Sequence, residues 1–217
     1  MLGQGPWSDE LQLMATNPPS TPILTYDQNS RTLTSVTLHF APGSDNGGSS
    51  ITGYQLWQNE GIMGSPSAII YYGSGRPEVL TLEVDNLITS LTYTFNLYSI
   101  NQIFNSSTSA SLTIQIGVPP SKPGQPAYLY QEYTSGTMTI SWTAPISDGG
   151  WPIQNYLIWV DDGNGVWPAN PITVPIASFG SQTSLLTYEI LGLTDGKTYG
   201  VKIQASNSIG VSVQSNT

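Results

Sequence analysis

The chain has 217 residues, only 9% of them charged, with a formal net charge of −9. Five Lys and Arg residues cannot neutralise a row of phosphates, so nucleic acid and anionic membrane surfaces are poor partners, and no nucleic acid is expected. The absence of Cys removes disulfides, thiolate zinc sites and cysteine nucleophiles.

From the N-terminus, Leu2, Leu11, Leu13 and Ala15 precede Pro18-Pro19 at the spacing with which Ile103, Leu112, Ile114 and Ile116 precede Pro119-Pro120. Residues 1–16 are therefore expected to be the last strand of a preceding unit, and the chain an excerpt of a longer array. Asn17-Pro18-Pro19-Ser20-Thr21-Pro22 opens the next unit, since proline removes a ladder donor and favours extended geometry. Val36, Leu38 and Phe40 then alternate with Thr37 and His39, the pattern of a half-buried strand. A turn at Asp45-Asn46-Gly47-Gly48 leads to a strand that points Tyr54 and Leu56 inward and Trp57 outward.

Between Asp85 and Lys122 the sequence is uncharged but rich in Thr, Ser and Asn, and it alternates with period two. It reads as strands, so no membrane insertion is expected in this segment. Tyr93, Phe95 and Leu97 take the inward phase there, and Tyr98 and Ile100 the outward one. Val118-Pro119-Pro120-Ser121-Lys122-Pro123 marks the second boundary. Beyond it Met138, Ile140 and Trp142 point inward, then Tyr156 and Ile158 after Asp148-Gly149-Gly150, with Trp159 outward. Tyr199, Val201 and Ile203 form a last inward set, and the chain reaches Ser215-Asn216-Thr217 with its C-terminal strand expected to be incomplete.

These segments repeat one another. Leu193 to Tyr199, with Ile203, Asn207 and Ile209, restates Leu87 to Tyr93, with Leu97, Asn101 and Ile103, at an offset of about 106 residues. Ile51, Tyr54, Leu56 and Trp57 recur as Ile153, Tyr156, Ile158 and Trp159. A unit of about 100 residues has the size of a β-sandwich domain, which divides the chain into 1–16, 17–117 and 118–217.

Ser141-Trp142-Thr143-Ala144-Pro145, the turn and strand from Asp148 to Ile158, and the Leu193–Gly210 run together resemble the fibronectin type III family. The resemblance extends over essentially the whole chain. It implies an all-β fold of tandem immunoglobulin-like sandwiches of about seven strands each. It also implies a tyrosine corner at Tyr93 and Tyr199, whose hydroxyls would return to the backbone at the connection before the strand. The first unit departs from the pattern, with Phe40 in place of the Trp and Phe104 in place of a loop Gly.

Chemistry is sparse. His39 is the only histidine and falls on an outward strand phase, so no triad or zinc site is expected around it. Asp161-Asp162-Gly163-Asn164-Gly165 has some oxygen ligands at short spacing but lacks the alternating acidic positions of a calcium loop, and reads as a hairpin turn. No catalytic residue, metal site or cofactor is expected. Trp57, Tyr98, Ile100 and Trp159 are expected to form an exposed aromatic and aliphatic interaction surface. Asn105-Ser106-Ser107 is a glycosylation sequon.

The resulting expectation is a non-catalytic structural or adhesive segment of a long extracellular or cell-surface array able to assemble into a fibre, with protein partners that include further copies of the same units. A ligand-binding receptor ectodomain and a spacer in a secreted enzyme remain alternatives.

Overall fold

The computed structural model describes residues 8–11, 15–62, 64–129, 134–180 and 185–217. The fold is all-β, in antiparallel sheets, with only two single turns of 3-10 helix, Gln28–Ser30 and Ile176–Phe179, among the described residues. The chain groups into two compact units, one of Met1–Asp27, Thr37–Glu83 and Tyr93–Ile114, the other of Gln28–Val36, Val84–Thr92 and Gln115–Thr217. The sheets themselves follow the sequence repeat. Of the strand expected in residues 1–16, Ser8–Leu11 and Ala15–Thr16 carry no regular structure, and the rest lies outside the described residues.

The first sandwich has seven strands: β1 (Ile23–Tyr26), β2 (Val36–Ala41), β3 (Ile51–Gln58), β4 (Ala68–Tyr72), β5 (Thr81–Val84), β6 (Thr92–Asn101) and β7 (Ala110–Gln115). One sheet has the order β1-β2-β5 and the other β4-β3-β6-β7. Val36, Leu38 and Phe40 from the first sheet and Tyr54, Leu56, Phe95 and Leu97 from the second are all buried, as their period-two spacing requires. Phe40 packs against Tyr54 and Tyr71 at ring-centroid distances of 5.8 and 6.2 Å.

The second sandwich repeats this plan with β8 (Ala127–Tyr128), β9 (Thr137–Thr143), β10 (Asn155–Val160), β11 (Ile172–Pro175), β12 (Leu185–Leu191) and β13 (Val201–Ser206). Its sheets are β12-β9-β8 and β11-β10-β13. Trp142 takes the place of Phe40 and meets Tyr156 and Phe179 edge-on at 5.4 and 5.5 Å. Burial pushes the Tyr156 phenol up to about 12, because a phenolate there would have no water around it. Instead of a regular last strand, Val211–Ser215 run beside β13. Ser212 and Ser215 accept the backbone N–H groups of Ala205 and Ile203 at 3.0 and 2.9 Å with their hydroxyls, and donate their own N–H groups back to the same two residues' carbonyls.

Each sandwich carries its own copy of one polar fastening. Asn101 and Asn207, 2% and 6% exposed, each make four hydrogen bonds. The Asn101 amide nitrogen donates to the carbonyls of Asn17 and Asn46 at 2.9 and 3.1 Å, and its oxygen accepts from the N–H groups of Ile103 and Phe104. Asn207 does the same with the carbonyls of Val118 and Asp148 and the N–H groups of Ile209 and Gly210. One side chain thus joins the entering chain ahead of the Pro-Pro pair, the turn between the second and third strands, and the hairpin after the sixth.

Gly47 and Gly149 make room for this contact. Both have positive φ, and a Cβ at either would lie 2.0 Å from the carbonyl oxygen of Asn17 or Val118. Ser20 and Ser121 add a second pin, their hydroxyls accepting the N–H groups of Asp45 and Ser147. Asn207→Ala should lower the stability of the second sandwich by about 2–3 kcal/mol in urea unfolding, because it leaves buried carbonyls and N–H groups without partners. Asn207→Asp, which accepts but cannot donate, should lose a similar amount; a change below about 0.5 kcal/mol in either would contradict the role given to this side chain.

Candidate interaction surface

The outward face of the first sandwich's four-stranded sheet is set by register. Gln55 on β3 stands opposite Tyr72 on β4 and Tyr98 on β6, while Trp57 stands opposite Ile69 and Asn96. Members of a directly opposed pair point to the same face, so these six side chains share one surface. A depression of about 290 Å³ opens there, walled by Gln55, Trp57, Asn96 and Tyr98 with Pro66 and Asn105 at its rim. No charged side chain lines it. Trp57 and Tyr98 are half-buried and Gln55 is buried, its amide oxygen accepting from the Asn105 amide nitrogen at 3.2 Å.

Ile100 departs from the expected surface. Its period-two phase along β6 points outward, yet it is only 6% exposed. The register slips between Ile51 and Gly53, and Ile100 forms a bridge with Asn105 as the following hairpin turns back. Ser99, Ile100 and Asn101 are all buried, so both faces of this strand end are covered and the alternation no longer reports the side. Ile100 belongs to the interior and not to the surface.

Trp159 occupies the position equivalent to Trp57 but in a different environment. Its indole N–H donates to the Gln204 side-chain oxygen at 2.8 Å, and the Gln204 amide in turn donates to the Ser212 carbonyl. Opposite it, Lys202 places its ammonium over the Trp167 ring at 4.1 Å. This face is held by its own side chains. The first sandwich has Tyr98 where the second has Gln204, so Trp57 lacks that acceptor.

The remaining expected positions are placed as follows. Tyr93 lies on β6 with its ring buried and stacked near Phe95 at 6.4 Å. Tyr199 is half-buried, and its hydroxyl accepts the Thr194 backbone N–H at 2.8 Å across the connection between β12 and β13. Asn105 is exposed on the hairpin after β6. His39 shares a hydrogen bond of 3.2 Å with Thr81 on the neighbouring strand. Asp161 and Asp162 accept N–H groups within their own turn, and the hydrogen bonds from Asn164 hold the Asp162 carboxyl below its ordinary range. Among the described residues, no group of three or more His, Asp and Glu side chains could hold a metal ion.

Residues 122–217 match the family model described as "Fibronectin type III domain". The second sandwich matches the fibronectin type III family along nearly its whole length. It is 28% identical over 169 residues to the human fibronectin type-III domain-containing protein 3A, covering 78% of this chain and 13% of that protein. It is 29% identical over 204 residues to the Kelch domain-containing protein SSO1033 of Saccharolobus solfataricus, covering 92% of this chain and 24% of that protein. Human myomesin-2 is 28% identical over 196 residues, covering 84% of this chain and 12% of its own length. The chain therefore spans at most a quarter of each of these relatives. A crystal structure of the chicken CNTN1 FN1–FN3 domains superposes with a TM-score of 0.45 at 16% identity, covering 93% of this chain and 67% of that one.

The phenol-to-backbone contact in the second sandwich can be tested alone. Tyr199→Phe keeps the ring and removes the acceptor for Thr194, and should cost about 1 kcal/mol in thermal or urea unfolding. An unchanged midpoint would show that the hydrogen bond adds nothing.

Proposed function

We propose that this pair of fibronectin type III units is a non-catalytic structural and adhesive segment of an extracellular or cell-surface array, and that it makes lateral contacts with further copies through β4. The family relationship supports the coarser reading of a structural or binding module. The low charge and the wealth of Ser, Thr and Asn suit a glycosylated outer surface, and Asn105 stands exposed at a sequon.

The observation that carries the lateral contact is the difference between the two edge strands. In the first sandwich β4 is the outer strand, and Ile69, Ile70 and Tyr72 are 48%, 38% and 62% exposed. No charged residue stands between Glu60 and Arg76. Edges in water are ordinarily blunted by charge, proline, a bulge or a covering element; within this strand there is neither charge nor proline, and its one irregularity is the register slip that leaves Ile70 unpaired with β3. The second sandwich's outer strand, β11, is bracketed by Pro171 and ends on Pro175, neither of which offers an N–H to an added strand. A neutral β-branched and aromatic edge is self-complementary, and an antiparallel pairing of two β4 strands would bury its exposed isoleucines.

Sedimentation velocity over a concentration series tests this. The wild-type chain should show reversible association that Ile70→Lys, a charge in the middle of the edge, reduces at least about tenfold in affinity. A chain that stays monomeric throughout, or that associates equally well with Lys at this position, would contradict the proposal.

A further inference from the structure

The depression beside β4 differs chemically from the edge itself. Its Trp57 and Tyr98 rings are half-buried and line it, Gln55 and Asn105 bring amide groups, and no charged side chain is present. One hydrogen-bonding atom in it has nothing to bond to. The Asn96 side-chain oxygen is buried and without a partner. The Trp57 indole N–H stays open to water, whereas the equivalent N–H of Trp159 is satisfied by Gln204. Buried polar atoms are normally paired, and an orphan at the wall of an open groove marks a place where a ligand atom can supply the missing bond.

The geometry points to a neutral carbohydrate as the ligand of this groove. Three observations select that class. A buried orphan acceptor on Asn96 and an open donor on Trp57 lie within one small site, and a hydroxyl group answers both because it donates and accepts. The C–H face of a pyranose ring is the natural cover for exposed Trp and Tyr rings, whose faces carry partial negative charge. The lack of Lys, Arg, Asp and Glu in the lining leaves nothing to pair with a sulfate, phosphate or uronate, which excludes charged glycans and nucleotides. A volume of about 290 Å³ sits at the low end of ligand pockets, so the site holds one or two sugar rings of a longer chain and not a large ligand.

The second sandwich serves as an internal reference. The same register position holds a Trp there, but Gln204 replaces Tyr98 and Lys202 replaces Asn96, and both are engaged with neighbouring groups. Binding is therefore confined to the first sandwich. It does not depend on lateral association through β4.

The test is a titration of the full 217-residue chain, made in a host that does not N-glycosylate and labelled at the tryptophan indole nitrogens, with neutral hexaoses of glucose, mannose and galactose. The Trp57 indole resonance should shift and saturate at millimolar concentrations of at least one hexaose, while that of Trp159 stays in place. An oligomer of hyaluronan, an anionic control, should move neither. Asn96→Leu should weaken binding about tenfold, and Trp57→Phe, which keeps a ring but loses the N–H, should weaken it severalfold. A Trp57 resonance unmoved by every hexaose, indole resonances that all shift alike, or binding unchanged in Asn96→Leu would overturn the assignment. Should either variant fail to fold, the wild-type titration decides alone.

Discussion

In each sandwich three segments meet at one end, the entering chain, the second turn and the hairpin after the sixth strand; two backbone hydrogen bonds tie the first to the second, and neither reaches the hairpin. Asn101 and Asn207 join all three. A primary amide is the one side chain short enough to fit and able to donate twice and accept twice from a single planar group. Buried as they are, these bonds are worth more intact than their count suggests, because losing one partner strands several backbone groups together. Gly47 and Gly149 complete the arrangement by letting the turn approach the entering backbone closer than any Cβ permits.

What the fastening positions is the hairpin after β6. In the first sandwich that hairpin carries Phe104 and Asn105, and its return path covers Ile100 and places the Asn105 amide against Gln55. The neutral groove is therefore built partly on regular strands, through Trp57, Asn96 and Tyr98, and partly on a loop whose geometry depends on Asn101. The second sandwich has the same fastening but fills its equivalent face with Gln204, Lys202 and Trp167. Repetition of a scaffold and divergence of its outward face is how one fold carries different contacts.

Much of this was legible in the sequence. The alternating strands, the glycine turns and the 100-residue repeat follow from period and spacing, and Asn101 and Asn207 already stand out as repeated positions. Their role did not, because nothing local to either residue says that its amide reaches backbone carbonyls some 50 to 90 positions earlier. Ile100 misled for a different reason: phase along a strand reports the face only while the register is regular, and it slips here. Trp57 and Trp159 look equivalent in sequence, and only the partner across the sheet, Tyr98 in one case and Gln204 in the other, separates an open indole from a satisfied one. The exposed edge of β4 was likewise hidden, since Ile-Ile-Tyr-Tyr reads as core until its place at the end of the sheet is known.

The most direct test of the central claim is a double-mutant cycle on the first sandwich, combining Asn101→Ala with Gly47→Ala and measuring unfolding free energy in urea. If the amide and the close backbone approach form one unit, either change already frees the Asn17 carbonyl. The double variant should then lose at least about 1 kcal/mol less than the sum of the two single losses. Losses that add within about 0.3 kcal/mol would show that the three loops are held independently and that the fastening described here is not what joins them.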